Sequence, residues 1–263
     1  MSTNAAKRAE FILRELHLHG RVDAEELSSR LQVNSSTIRR DLERLEQQNL
    51  LRRVHGGALS VDLLASSTYA YGLTFQENMR KQSEEKALIA QVALRLIQPG
   101  DAIALSPGTT TTHLARAIRH AQLEPLTVVT NALNIAMELN GLKNITLTLV
   151  GGLLLPDFFA LVGPLAEQSL NQMYISKAFI GVTGLSPEHG LTGPNQLEAL
   201  TYRLTIQHAL QTIVLADHTK LGQVALHAIA PATAIHTLVT DQAAPAEILA
   251  RFRALGVKIC QPE

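Results

Sequence analysis

The sequence predicts an α/β protein: a small winged helix-turn-helix domain followed by a mainly parallel-sheet α/β domain. Three observations carry that reading. A short helix, a tight turn and a second, arginine-bearing helix fall between Asp23 and Asn49. A basic hairpin, "LLRRVHGGAL", follows at once. From residue 84 onward, helix-length stretches alternate with short apolar runs.

The chain has 263 residues, enough for two domains; 46% are hydrophobic and 17% charged, which suits packed globules rather than a disordered chain. No apolar run approaches the roughly 18 residues needed to span a bilayer, and no basic-then-apolar leader opens the sequence, so a cytoplasmic location is expected. The single cysteine, Cys260, excludes an intrachain disulfide; within "GVKIC" it is expected to pack rather than react. Net charge is zero, but residues 1–60 hold ten Lys/Arg against eight Asp/Glu. An excess that small leaves the direction of the arginines to decide the question.

In "AAKRAEFILRELHLHG", Ala5, Ala9, Ile12, Leu13 and Leu16 recur at helical spacing, and Gly20 is a stop. Val22 is a short extended residue and Asp23 an N-cap for a two-turn helix that turns Leu27 and Leu31 inward. In "NSSTIRRDLERL", Asn34 caps a second helix whose buried stripe is Ile38, Leu42 and Leu45. At about 100° per residue, Ser36, Thr37, Arg40 and Arg44 face away from that stripe, with Arg39 on its flank. The small Ser35, Ser36 and Thr37 allow close approach to a duplex, and the helix dipole there favours phosphate. Arg40 can reach guanine O6 and N7 together; Arg39 and Arg44 suit phosphate. Asn49 ends the helix, and the hairpin brings Arg52, Arg53 and His55 as a basic wing around Gly56-Gly57. The opposing reading, a solvated face on a small helical domain, explains the isolated helix equally well but not the turn and wing together.

"STIRRDLERLEQQNLLRRVHGGA" resembles the N-terminal signature of the DeoR family of bacterial transcriptional regulators. Asn34 and Asn49 replace its usual serine and glycine; both still suit a cap.

Residues 59–83 lose the helical period and are expected to link a DNA-binding domain at 1–58 to a second domain at 84–263. A helix at about 84–97 leads to apolar strands "AIAL", "LTVVT", "ITLTLV", "KAFIGV", "TIVLAD", "HTLVTD" and "VKIC". Such runs separated by helices imply a mainly parallel sheet covered on both faces, with ligands at the carboxyl ends of its strands. There, "SPGTTTTHLARAI" supplies Ser106, Gly108, Thr109, Thr110 and Thr111 as an anion cradle opening into a helix. No Walker signature occurs, so a nucleotide triphosphate is not expected. Lys220 would counter a phosphate and Asp217 accept from a hydroxyl; the opposing reading is a surface ion pair. Thr130 and Asn131, then Gly181, Thr183 and Gly184, end two further strands, and Asn195 and Glu198 are expected to reach into the cleft.

This half resembles the DeoR effector domain, whose fold is shared with ribose-5-phosphate isomerase, glucosamine-6-phosphate deaminase and CoA transferases. The matches are G-T-T at Gly108–Thr110, T-N at Thr130-Asn131, G-G at Gly151-Gly152, G-P at Gly163-Pro164, F-I-G at Phe179–Gly181, D-x-x-K at Asp217–Lys220 and T-D at Thr240-Asp241. The resemblance implies a phosphorylated sugar or related metabolite held by Gly108, Thr109, Thr110 and Lys220. Ser106, Ala132, Thr183, Tyr202 and Asn78 depart from usual family residues at the pocket rim.

The expected protein is a homo-oligomer, dimer or tetramer, that binds double-stranded operator DNA and represses a sugar-utilisation operon until a phosphorylated metabolite releases it. No cofactor is expected, and the scattered histidines predict no metal site. The rival reading is an isomerase or deaminase, which needs a positioned carboxylate; "FIGVTGLS" has none, leaving Glu198 and Asp217. A third reading is a DNA binder without sequence preference, its larger domain serving assembly alone.

Overall fold

A computed structural model describes residues 8–9, 11–16, 21–47, 50–54, 56–60, 75, 77–121 and 123–263. Ala5, Gly20, Asn49, His55 and most of "SVDLLASSTYAYGLT" lie outside the described residues, as does the side chain of Arg52. The chain divides into two compact units, Met1–Leu73 and Thr74–Glu263.

In the first unit, residues 11–16 are helical. Next come β1 (Arg21–Asp23), α1 (Ala24–Leu31), α2 (Ser35–Gln47), β2 (Leu51–Val54) and β3 (Gly57–Ser60). The Asp23 carboxylate accepts the backbone N–H groups of Glu25 and Glu26 at 2.8 and 3.2 Å, so α1 starts where its first donors are satisfied. It stops at Gln32, whose left-handed φ of 51° sets the turn into α2. The Asn34 side chain accepts from Ser36 N–H at 3.3 Å. The core consists of Ile12, Leu16, Val22, Leu27, Ile38, Leu42, Leu45 and Leu51, all buried. β1, β3 and β2 form an antiparallel sheet in that order, closing the unit with a tight hairpin between β2 and β3.

The second unit begins with α3 (Ser83–Leu94), β4 (Ala102–Leu105), α4 (Thr109–His120), β5 (Leu126–Thr130), α5 (Leu133–Leu139) and β6 (Ile145–Leu149). A small hairpin, β7 (Leu153–Leu155) and β8 (Ala160–Val162), precedes α6 (Pro164–Leu170) and β9 (Ile175–Gly181). Then follow β10 (Gly184–Ser186), β11 (Gly190–Gly193), α7 (Gln196–Gln207), β12 (Ala209–Leu215), β13 (His227–Ala230), β14 (Thr237–Val239), α8 (Ala246–Ala254) and β15 (Lys258–Cys260). Seven strands make a sheet in the order β15-β14-β12-β9-β4-β5-β6, every neighbouring pair parallel. These are the seven apolar runs of the sequence.

Their apolar continuity follows from burial on both faces. Ile103 and Leu105 of β4, Phe179 of β9 and Ile213 and Leu215 of β12 join the core that α3, α4 and α5 cover. The alternate residues Ala104, Ala178, Ile180 and Val214 join the core on the other face, with Tyr202 and Ile206 of α7 and Phe252 of α8. Cys260 is a half-buried free thiol at the edge of the first of these cores.

Candidate functional site

In the first unit, the buried stripe of α2 comprises Ile38, Asp41, Leu42 and Leu45. Arg39 and Arg40 are exposed on the remaining surface, together with Ser36; Ser35 and Thr37 are half-buried. Asp41 was not expected on the buried side. Its carboxylate is held by the Arg8 guanidinium at 2.7 Å and approached by Arg44 at 3.4 Å. Arg44 is thereby drawn inward along its own helix, whereas Arg39 and Arg40 form no ion pair among the described residues. Arg30 is likewise occupied, by Glu15 at 2.6 Å and by the ring of Phe11. Arg53 is exposed on β2, where its backbone N–H donates to Glu46 at 2.8 Å and ties the hairpin to α2.

In the second unit, β4 and β9 lie side by side, yet their following connections run over opposite faces of the sheet: α4 after β4, α7 after β9. At such a switch point the carboxyl ends of two parallel strands open a crevice. Ser106–Gly108 follows β4 and Gly181 ends β9. The two loops touch: a Cβ on Gly181 would lie 3.7 Å from the Pro107 carbonyl oxygen and 3.9 Å from the Gly108 Cα. The buried Ser106 hydroxyl accepts the Gly181 N–H at 2.9 Å and donates to the Pro107 carbonyl at 3.1 Å. Gly108 has φ +147°, a conformation L side chains rarely adopt, and a Cβ there would meet the Thr111 hydroxyl at 3.1 Å. It opens α4 without a side-chain cap, leaving the first-turn N–H groups unclaimed by any capping side chain.

The four threonines divide. Thr111 and Thr112 donate back to the Gly108 carbonyl at 3.0 and 2.6 Å, which braces the loop from within. Thr109 is half-buried and Thr110 buried, and neither hydroxyl is used in that way. Thr130 donates to the Leu105 carbonyl at 2.7 Å and accepts from Ala132 N–H at 3.1 Å, while Asn131 donates to the Leu161 carbonyl at 2.9 Å. Both tie strand ends together. Thr183 is exposed; Gly184 is buried, where a Cβ would stand 2.6 Å from the Gln223 carbonyl oxygen, so packing accounts for that glycine.

Asn195 caps α7, accepting from Leu197 and Glu198 N–H at 2.9 and 3.2 Å. Glu198 is buried one turn before Tyr202, whose hydroxyl lies 3.0 Å from the Glu198 carboxyl and 2.7 Å from the Pro107 carbonyl. Burial pushes Glu198 up to about 7, the hydrogen bond from Tyr202 opposing it. Burial and the neighbouring Glu198 also raise Tyr202 well above its ordinary value. A single phenolic proton cannot serve two acceptors. Tyr202 therefore serves one of them at a time, the Glu198 carboxyl or the Pro107 carbonyl of the glycine loop.

Asp217 is buried and caps the short turn His218–Lys220 through Thr219 N–H at 3.0 Å and the Thr219 hydroxyl. It forms no ion pair with Lys220, which is half-buried and free of ion pairs among the described residues. A further lysine belongs here. Lys86 of α3 is 2% exposed, and its ammonium donates to the carbonyls of Asn78 and Lys81 at 2.5 and 2.6 Å. Burial lowers its pKa; Asp217 opposes that and Lys220 reinforces it, so the three groups share one field. Lys86 was not among the expected site residues, although it shares a helical stripe with Ile89, Ala90 and Ala93. A lysine on an apolar stripe was the available signal.

Among the described residues no cluster of three or more His, Cys, Asp or Glu could hold a metal ion, and no helix is long and apolar enough to cross a membrane.

Comparison with known proteins finds a family match in each unit. Residues 8–63 match the DeoR-like helix-turn-helix domain and residues 81–242 the DeoR C-terminal sensor domain. The repressor GlcR of Bacillus subtilis is 35% identical over 90% of this chain and 88% of its own length. The putative aga operon transcriptional repressor of Escherichia coli O157:H7 is 32% identical over 98% of this chain and 94% of its own. Among solved structures, ribose 5-phosphate isomerase A from Methanocaldococcus jannaschii is 19% identical over 53% of this chain and 55% of that one, with a TM-score of 0.40. Matched in both units and along most of its length, this chain belongs to the DeoR family of transcriptional regulators.

Proposed function

We propose that the chain is a repressor of a sugar or sugar-derivative utilisation operon, binding operator DNA through the first unit and released when a phosphorylated metabolite occupies the crevice of the second. The observation that carries this reading is the contrast on α2: Arg39 and Arg40 stand exposed while Arg8, Arg30 and Arg44 are engaged by carboxylates. In the proposed complex the N-terminal turn of α2, Ser35 to Thr37, lies against the duplex. Arg40 reads base edges, and Arg39 contacts phosphate with the wing residues Arg52, Arg53 and His55; Arg44 contributes less than its position suggested. A phosphoryl group sits on the unclaimed N–H groups opening α4, beside Gly108, Thr109 and Thr110, with Lys220 as counter-charge. Asp217, Glu198 and Thr130 shape the loops around it. The regulator acts as a homo-oligomer, because a single small reading head makes few base contacts and pairing heads supplies the missing affinity. It performs no turnover: in this reading the Glu198 carboxyl is committed to Tyr202.

The test is an operator-release assay with DNA from upstream of the adjoining genes and a panel of sugar phosphates. Wild type binds this DNA in preference to a random duplex and is released by one member of the panel. Lys220→Ala binds equally well and is not released. Loss of operator binding in that variant, or turnover of ribose-5-phosphate or glucosamine-6-phosphate by wild type, overturns the reading.

A further inference from the structure

The second unit has a cavity of about 610 Å³ that none of the crevice residues lines. It is bounded by Phe75, Met79, Arg80 and Ser83, by the flanks of α4 and α5, and by Phe159. The volume falls within the range of small-molecule sites. Two of its lining residues each bury one polar atom without a partner among the described residues. Thr112 spends its one hydroxyl proton on the Gly108 carbonyl, so it can only accept from Asn134, at 2.9 Å. Asn134 must therefore present its NH₂ group to Thr112, and this leaves its carbonyl oxygen buried without a donor. The Nε2 atom of His113, on the next position of α4, is also buried without a partner. Buried polar atoms nearly always find partners; here each of two neighbouring side chains leaves one atom unpaired among the described residues, behind the wall rather than on its surface.

The remaining lining is amphipathic. Phe75 and Phe159 meet edge to face at 5.1 Å and 72° and offer a ring surface. Arg80 is exposed and has no ion pair among the described residues. Arg116 stands 3.6 Å from Glu138, and that carboxylate is shared with Arg119 at 3.5 Å. Cations thus outnumber carboxylates at the mouth. His113 adds no fixed charge: burial, then Arg116 and Lys86, lower its pKa and keep the ring neutral.

We infer that this cavity is a second ligand site, distinct from the switch-point crevice, for a small anion whose body has an apolar face. The phosphate or carboxylate pairs with Arg80 and Arg116, and the apolar face packs on Phe75 and Phe159. Occupancy braces Phe75 to Ser83, the stretch through which the chain enters this unit from the DNA-binding one. It also bears on the crevice loop, because Asn134 holds Thr112 and Thr112 holds Gly108.

The probe is 8-anilinonaphthalene-1-sulfonate, which carries an anion, aromatic faces and an N–H donor, titrated by fluorescence into the full-length protein. A single saturable site per chain is expected. Arg80→Glu, a surface change checked for an unaltered melting temperature, should weaken binding by about tenfold or more. Phe159→Ala should weaken it similarly, whereas Lys220→Ala should change it by less than about threefold. Displacement by inorganic phosphate or by acetate identifies the preferred head group; displacement by neither overturns the proposal. So does an affinity unchanged in Arg80→Glu, or one lost in Lys220→Ala, which would put the probe in the crevice instead.

Discussion

Arg39 and Arg40 are neighbours in the chain but point about 100° apart around α2, so in the proposed complex they meet different parts of a duplex. Arg40→Ala should weaken operator binding by roughly 1–3 kcal/mol and relax preference at one base pair. Arg39→Ala should weaken binding to all sequences alike and lower the slope of log affinity against log salt by about one. Fluorescence anisotropy at several salt concentrations separates the two. Glu198 makes a different kind of prediction. In the folded protein it keeps its proton up to about pH 7, against an ordinary value of 4.5. Stability from the neutral carboxyl is therefore complete below about pH 4.5 and is lost as pH rises through about 7. The loss is on the order of 3 kcal/mol, because each pH unit of separation is worth about 1.4. Glu198→Gln keeps a donor for Tyr202 and cannot ionise. Its melting temperature should stay flat over that window while the wild type's falls; parallel curves would show that Glu198 is not the group responsible.

At the scale of an element, two helices illustrate how one buried polar group serves a whole surface. On α2, Asp41 takes a position on the buried stripe and holds Arg8 and Arg44. Asp41→Ala leaves Arg8 without its partner and should lower the stability of the first unit by about 1–3 kcal/mol, read from chemical denaturation. Arg8 and Arg44 singly replaced by alanine should each cost less, because the carboxylate keeps one partner. On α4 the equivalent element is the loop before it. Gly108→Ala would place a methyl group against the Thr111 hydroxyl in a backbone conformation that alanine resists. It should cost about 1–3 kcal/mol of stability in the second unit. In the operator-release assay it should blunt the response to the metabolite without altering base preference.

Across the whole molecule, the first unit holds the helix-turn-helix and the second unit the parallel sheet and the bulk of the core. If pairing of heads supplies the affinity, the fragment Met1–Leu73 should bind operator about 10²-fold or more weakly than the intact chain at equal salt. It should also keep the same base preference. Equal affinity of fragment and intact chain would remove the case for an oligomer.

Apolar periodicity is local, and it was enough to locate every strand of the parallel sheet. The same rule placed Ile38, Leu42 and Leu45 under the reading head, because side-chain spacing along a helix or strand decides which face can leave water. Turn chemistry is local too, so Asp23 and Gly108 were legible as the starts of two helices. What a polar side chain does is not local. Asn195 and Glu198 read as groups facing a cleft, yet one caps α7 and the other accepts from Tyr202, whose hydroxyl also reaches Pro107, 95 residues away in the chain. Lys86 was not singled out in the sequence, and it is buried in the field of Asp217 and Lys220. Local pattern was sufficient for the two folds and for the exposure of Arg39 and Arg40. Tertiary structure alone decided which polar groups are spent on the fold and which stay free, because hydrogen-bond and charge partners are assigned by proximity in space.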